Sequence, residues 1–171
     1  MACLWLSFAD MSPLPTVPSA LIGAAIVVVV VGSGWLIARA YLGRERETAT
    51  ARSAFLMKRP EFETMFFWAA CATGKPRGLR WKACEWSDCV EFAREKQTGN
   101  LAALVGVTIQ FEAIEGGDME GVPAVGNLRN ASAVFFYHKG RWHTLGRAVF
   151  NLNPDEALRH FAAHYERLPA T

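Results

Sequence analysis

The sequence lacks any charged residue between Ala20 and Ala38, a run of nineteen residues that includes five consecutive valines. A helix rises about 1.5 Å per residue, so a run of this length crosses a hydrocarbon layer of about 30 Å. Inside lipid a helix can satisfy its own backbone hydrogen bonds without water. We therefore predict a single-pass transmembrane helix over residues 20–42.

Lysine and arginine are absent before this run, and four arginines follow it: Arg39, Arg44, Arg46 and Arg52. Cations next to a membrane span tend to stay on the cytoplasmic side. The sequence therefore predicts an inner (plasma) membrane protein with its amino terminus outside and its carboxyl-terminal domain in the cytoplasm. In this organisation residues 1–19 form a short extracytoplasmic segment, 43–59 a helical stalk, and 60–171 a soluble domain.

Two alternatives concern the amino terminus. Ala38-Arg39-Ala40 has the small-x-small form of a signal-peptide cleavage site, but a signal peptide has a basic start and an apolar stretch of only about 7 to 15 residues. Translation could also start at Met11, which would remove Cys3 from the protein.

A strong charge of either sign is also missing, since the net charge is only +2. The lysines and arginines are scattered along the chain, and this excludes the basic stripe that is typical of a nucleic-acid-binding domain. Cations next to the predicted span, and a basic cluster at Lys75, Arg77, Arg80 and Lys82, could instead contact anionic lipid headgroups, although a solvated turn and strand face explains the cluster as well. The candidates for this membrane-surface contact are Arg39, Arg44, Arg46, Lys75 and Arg77.

Cysteine is scarce, with three residues in the predicted soluble domain: Cys71, Cys84 and Cys89. Three thiols cannot pair without a leftover, and a reducing cytoplasm favours free thiols. If the domain faced outside, a link between Cys84 and Cys89 would become plausible, and Asn130-Ala131-Ser132 would become a glycan acceptor in a eukaryote.

Signatures of catalysis are absent as well. The sequence has no Gly-x-Ser-x-Gly, His-Glu-x-x-His or phosphate-binding glycine motif. Cys84 and Cys89 are separated by four residues, and the chain has no second cysteine pair that could complete a zinc site with them. The glycine-rich and acidic stretch 115–127 lacks the ligand spacing of a calcium loop and is predicted to be a surface loop. We therefore predict no metal and no cofactor, and favour a protein without catalytic activity.

What the sequence does contain is periodicity typical of an α+β domain. Apolar residues recur at helical spacing from Phe62 to Thr73, after Pro60 and before Gly74. The period then changes to two, which predicts about three strands before the loop and two after it. Short turns between consecutive strands favour an antiparallel sheet of about five strands with flanking helices.

The last predicted helix starts at an Asn153 cap followed by Pro154. Its apolar stripe consists of Leu158, Phe161, Ala162, Tyr165 and Leu168. His160 and His164 stand four residues apart on this helix, but they lie away from the middle of the stripe and are predicted to be solvated.

The final hairpin carries the most suggestive polar group. A two-residue turn at Lys139-Gly140 would pair His138 with Arg141 and Phe136 with His143. His138, Arg141 and His143 would then share one face of the sheet, where neighbouring side chains can converge on an anion or a small ligand. These three are the candidate ligand-binding residues, although the polarity of an edge strand explains the same pattern.

The stretch from Gly74-Lys75-Pro76-Arg77-Gly78-Leu79 through Asn151-Leu152-Asn153-Pro154-Asp155-Glu156-Ala157 resembles a group of small membrane-anchored bacterial proteins of the planctomycete kind. The resemblance implies a bacterial origin. It implies no activity and transfers no site residue.

Three functions fit these features. The first is a membrane-anchored module whose α+β domain binds or scaffolds a partner. The second is a small-molecule binder or enzyme with an aromatic-lined pocket, because the chain is rich in tryptophan and phenylalanine. The third is an accessory subunit that packs Gly23, Gly32 and Gly34 against a helix of another membrane protein or of a second copy.

Overall fold

A computed structural model describes the backbone of residues 19–73 and 78–169, and the side chains of these residues from Val29 on. The chain divides into two compact units, Met1–Glu45 and Arg46–Thr171. The second unit contains the sheet and is the folded domain.

Two consecutive helices precede the sheet. Helix α1 spans Ser19–Met57 and helix α2 spans Arg59–Thr73, with Lys58 between them. The length of α1 is consistent with its sequence, which contains no proline. In α2 the negative charge of Glu61, in the first turn, stabilises the helix by interacting with the positive end of the helix dipole. From Val29 to Glu47 the side chains of α1 are exposed, whereas Ala51 and Phe55 are buried in the domain.

Within the part of the chain whose side chains are described, no helix combines the length and the apolar character needed to cross a membrane. The predicted span, 20–42, begins among residues whose side chains lie outside this description, and the predicted extracytoplasmic segment lies almost entirely outside it. The membrane helix and the localisation therefore stay predictions.

Five antiparallel strands form one curled sheet. They are β1 (Leu79–Glu95), β2 (Leu101–Ala113), β3 (Arg129–His138), β4 (Arg141–Phe150) and β5 (Tyr165–Arg167), and their spatial order is β4-β3-β2-β1-β5. A helix, α3 (Pro154–His160), connects the last two strands. The prediction of an α+β fold with about five antiparallel strands is confirmed.

The predicted division of the strands was wrong. A single long strand, β1, stands where two were expected, because its register on β2 shifts between Trp81 and Ala83 and again between Trp86 and Val90 without breaking the strand. Such irregularities let one strand bend along a curled sheet. Two strands therefore precede the loop, two follow it, and one comes after α3.

The end of the last helix was also predicted wrongly. Asn153 caps α3 and exchanges hydrogen bonds with Glu156 as expected, but the helix ends at His160. Residues Tyr165–Arg167 pair instead with the end of β1, where Tyr165 lies opposite Glu95. His164 therefore lies in the turn before β5, and its spacing from His160 does not place both imidazoles on one helix face.

The sheet is covered on both faces. On one face the last turns of α1 and all of α2 cover the main core, where Phe55, Phe66 and Phe135 are fully buried. On the other face α3 covers a smaller core of Ala93, Ala102, Leu104, Ala157 and Leu158. Since α3 has only seven residues, it covers only part of its face.

Candidate functional site

A cleft of about 370 Å³ lies on the α3 face of the sheet. Its apolar lining comes from β2, from the neighbouring strands β3 and β4, and from the residue that directly follows α3: Leu104, Val134, Phe136, Ala148, Val149 and Phe161. Leu104 lies directly opposite Val134 in the register of β2 and β3, so the two side chains share this face. The cleft is the space that the short α3 leaves uncovered.

Strand β4 shapes one side of the cleft through an irregularity. Ala133 of β3 lies opposite Ala148, but Phe135 lies opposite Thr144, so β4 has extra residues between these pairs. Gly146, in the middle of them, has a φ of +67°, which favours glycine. The next residue, Arg147, lines the cleft.

Four polar side chains line the same cleft: Glu95, Arg147, His164 and Tyr165. Glu95 and Tyr165 are brought together by the pairing of β1 with β5. Burial, followed by the negative charge of Glu95, raises the pKa of the Tyr165 hydroxyl, and the positive charge of Arg147 partly opposes this. The Tyr165 hydroxyl therefore stays neutral and interacts electrostatically with both Glu95 and Arg147.

Two of these groups have hydrogen-bonding capacity to spare. Oε2 of Glu95 accepts a hydrogen bond from the Thr98 hydroxyl, and Oε1 has no hydrogen-bond partner among the described residues. The exposed Arg147 guanidinium makes neither a hydrogen bond nor an ion pair within the described part of the chain. The cleft thus combines an apolar surface with a carboxylate that can accept further hydrogen bonds from a ligand and a guanidinium that can donate them.

The predicted hairpin group has the predicted register. His138 lies opposite Arg141, and Phe136 lies opposite His143, across a turn in which Lys139 and Gly140 have φ of 51° and 79°. All three candidates, His138, Arg141 and His143, are exposed, and Nε2 of His143 lies 3.4 Å from the His138 carbonyl oxygen. They share the face of the cleft but do not line it, so their ligand-binding role stays a prediction.

The candidates for membrane-surface contact fall into two groups. Arg39, Arg44 and Arg46 are exposed on α1, and the Arg39 guanidinium carbon lies 5.3 Å from the centre of the Trp35 ring. Lys75 and Arg77 lie outside the described residues. Their contact with lipid stays a prediction.

The three cysteines of the domain are free thiols in different surroundings. Cys71 of α2 and Cys84 of β1 are half-buried against the main core, whereas Cys89 is exposed. Burial, followed by the proximity of Cys71, raises the pKa of Cys84 to about 12. A thiol that stays protonated is a poor nucleophile, so Cys84 is not suited to thiol chemistry.

We expect iodoacetamide at pH 8 to modify Cys89 well before Cys84. Burial, followed by the negative charges of Glu91 and Asp155, also raises the pKa of the Cys89 thiol, but this thiol is exposed to the reagent. Cys84 is half-buried, and a thiol with a pKa of about 12 is a thiolate in only about one molecule in ten thousand at this pH. Peptide mass spectrometry of the alkylated protein measures both rates, and the same reaction in denaturant is the control, since both thiols should then react alike. Equal rates in the native protein would contradict the burial of Cys84.

Sequence reasoning did not find the residues of the cleft. The helical spacing places Tyr165 in the stripe of a longer helix, and no motif includes Glu95 or Arg147. The only sequence signal was the glycine before Arg147, because a glycine inside a strand often marks a bulge. Nothing in the sequence showed that side chains of β1, β4 and β5 would line the same cleft.

The comparisons with known proteins add no relative to this picture. No protein-family model matches the chain, and neither a curated protein nor a solved structure shows significant similarity to it. The resemblance to small bacterial membrane-anchored proteins therefore stays a prediction, and any function must be argued from the cleft itself.

Proposed function

We propose that the folded unit is a binding module that takes up a small, largely apolar molecule in the cleft beside α3. The observation that carries this proposal is the combination of an apolar floor with polar groups in one cleft of about 370 Å³. Ligand sites typically have volumes of about 300 to 1,000 Å³, an apolar lining and a few polar groups that fix the orientation of the ligand.

The aromatic residues of the cleft support the same function. Phe136 and Phe161 are only partly buried, although the side chains on the opposite face of the sheet form a closed core. Covering these rings with an apolar ligand removes their surface from water, which contributes about 25 cal/mol for each Å² buried. A small ligand can therefore complete the partial core that α3 begins.

The anchoring part of the proposal depends on the sequence. The uncharged run from Ala20 to Ala38, followed by arginines, supports a single-pass tether with the binding module on the cytoplasmic side of a membrane. The lipid bilayer is then the first partner of this protein, and the cleft serves a ligand that is available near the membrane.

We expect the full-length chain to bind the fluorescent apolar anion 1-anilinonaphthalene-8-sulfonate and Val149→Trp to weaken this binding at least tenfold. Val149 lines the cleft, so the larger indole ring fills the space that the probe needs. A fluorescence titration measures the affinity. The variant Phe161→Ala gives a second measurement and should also weaken binding, because it removes one aromatic wall of the cleft without placing a larger side chain in it.

The matched control is Leu145→Trp. Leu145 lies on the same strand, is 55% exposed and does not line the cleft, so the same substitution there should leave the affinity unchanged. Circular dichroism verifies that the variants are folded. Equal probe binding by the natural chain, Val149→Trp and Phe161→Ala would show that the probe binds elsewhere and would overturn the proposal.

A further inference from the structure

The polar groups of the cleft are arranged as two opposite charges on opposite sides of an apolar floor. Glu95 belongs to β1 and Arg147 to β4, and two strands, β2 and β3, lie between them. Neighbouring strands are about 4.8 Å apart and a strand rises about 3.3 Å per residue. The register places Glu95 about four residues further along the sheet than Arg147, so in a flat sheet the two backbones would be about 14 Å apart across the strands and about 13 Å along them, and closer in this curled sheet. Their side chains therefore approach the cleft from its two sides.

These charges do not neutralise each other. No ion pair joins Glu95 and Arg147, although both side chains are described and both influence Tyr165. Oε1 of Glu95 and the Arg147 guanidinium also lack hydrogen-bond partners among the described residues. A half-buried carboxylate gains most from a cation that also donates hydrogen bonds, and a guanidinium gains most from a carboxylate that accepts two.

We propose that the ligand of the cleft is a zwitterion of the amino-acid type with an apolar side chain, taken either as a free amino acid or as a short peptide. This inference rests on the proposed binding function. The ammonium group faces Glu95, the carboxylate faces Arg147, and the apolar side chain covers Phe136 and Val134. The neutral Tyr165 hydroxyl, next to Glu95 in the register, adds a hydrogen bond at the polar end.

An uncharged apolar molecule would leave both charges without a partner. A simple fatty or aromatic acid could pair with Arg147 but would leave the half-buried Glu95 carboxylate without a cation. Groups that are desolvated without a partner cost binding energy. The cleft therefore discriminates by the pair of charges as well as by apolar contact. A ligand with only one of the two charges should bind clearly more weakly.

The test is isothermal titration calorimetry of the full-length chain with four probes. L-phenylalanine and the dipeptide L-alanyl-L-phenylalanine carry both charges, 3-phenylpropionate lacks the ammonium, and 2-phenylethylamine lacks the carboxylate. We expect at least one of the two zwitterions to bind at least tenfold more tightly than either single-charge probe. The stronger of the two zwitterions identifies the source as a free amino acid or a peptide.

Two substitutions assign the charges. Arg147→Gln should remove the preference for the carboxylate, so that the preferred zwitterion and 2-phenylethylamine bind alike. Glu95→Gln should remove the preference for the ammonium, so that the zwitterion and 3-phenylpropionate bind alike. The matched controls are Lys82→Gln and Glu85→Gln, which remove the same charges from exposed positions on β1 that do not line the cleft.

The outcomes separate this inference from the proposed function. If 3-phenylpropionate or 2-phenylethylamine binds as tightly as the zwitterions, or if the controls weaken binding as much as the cleft variants, the zwitterion is excluded. If no amino-acid probe binds but the naphthalene probe still depends on Val149, the inference is overturned and the binding module stands. If that dependence also fails, both are overturned.

Discussion

Gly146→Ala should destabilise the domain by about 3 kcal/mol. A Cβ atom at this position would lie 2.2 Å from the Ala70 backbone nitrogen and 2.5 Å from the Ala69 carbonyl carbon. Because these atoms belong to the backbone of α2, neither can turn aside, and the helix or β4 must shift. The φ of +67° adds the strain of a left-handed conformation. Overpacking and backbone strain each cost about 1 to 3 kcal/mol.

The measurement is the urea unfolding midpoint of the full-length chain, followed by tryptophan fluorescence in one mild detergent for all variants. The matched control is Gly140→Ala in the hairpin turn, where φ is +79° but no atom lies within 4 Å of the added Cβ. This variant keeps the strain and lacks the clash, so it should cost only about 1 kcal/mol. Equal effects of both substitutions would show that α2 does not approach β4 as closely as described.

Phe55→Ala should cost about 3 to 5 kcal/mol, a large part of the stability of a domain of this size. The ring is fully buried and contacts four other rings, with centroid distances of 4.8 Å to Trp142, 5.2 Å to Phe135, 5.3 Å to Phe62 and 5.8 Å to Phe92. The substitution leaves a cavity between α1 and the sheet. Deleted aromatic contacts and the empty volume both lower the free energy of unfolding.

The neighbouring residue provides the control for Phe55. Leu56 is 53% exposed, so Leu56→Ala removes a side chain of similar size from the same turn of α1 and should change stability by about 0.5 kcal/mol or less. The same unfolding experiment compares the two. If Phe55→Ala were as mild as Leu56→Ala, the end of α1 would be a linker outside the core.

The amino-terminal boundary of the folded unit lies within α1, where the sequence pattern did not reveal it. Residues 43–59 have the composition of an exposed helical stalk, yet the folded unit begins at Arg46. The buried Trp142 side chain donates a hydrogen bond of 2.9 Å to the carbonyl oxygen of Ala51, ninety-one residues earlier in the chain. A contact between residues so far apart has no local signature, because helix propensity is the same for a free helix and a packed one.

Local signals were reliable where the chain itself sets the geometry. The turn at Lys139-Gly140 fixes the register of β3 and β4, because a two-residue loop with positive φ allows one pairing. The Asn153 cap and Pro154 fixed the start of α3 in the same way. By contrast, the helical spacing of Leu158, Phe161 and Tyr165 predicted a last helix that is too long, because Tyr165–Arg167 forms hydrogen bonds with the edge of β1 instead.

The sequence by itself determined the α+β class, the final hairpin and the start of α3, since periodicity, turns and caps depend on residues that are close together in the chain. The total of about five strands agreed only because two expected strands form one, β1, while Tyr165–Arg167, expected in a helix, forms β5. Only the tertiary structure decided where α3 stops, how closely β4 approaches α2 at Gly146, and that Glu95, Arg147 and Tyr165 meet in one cleft. The physical reason is the separation along the chain of the residues that interact, because caps and turns depend on residues only a few positions apart. A cleft, by contrast, forms where hydrogen bonding and burial join strands that are far apart in the chain.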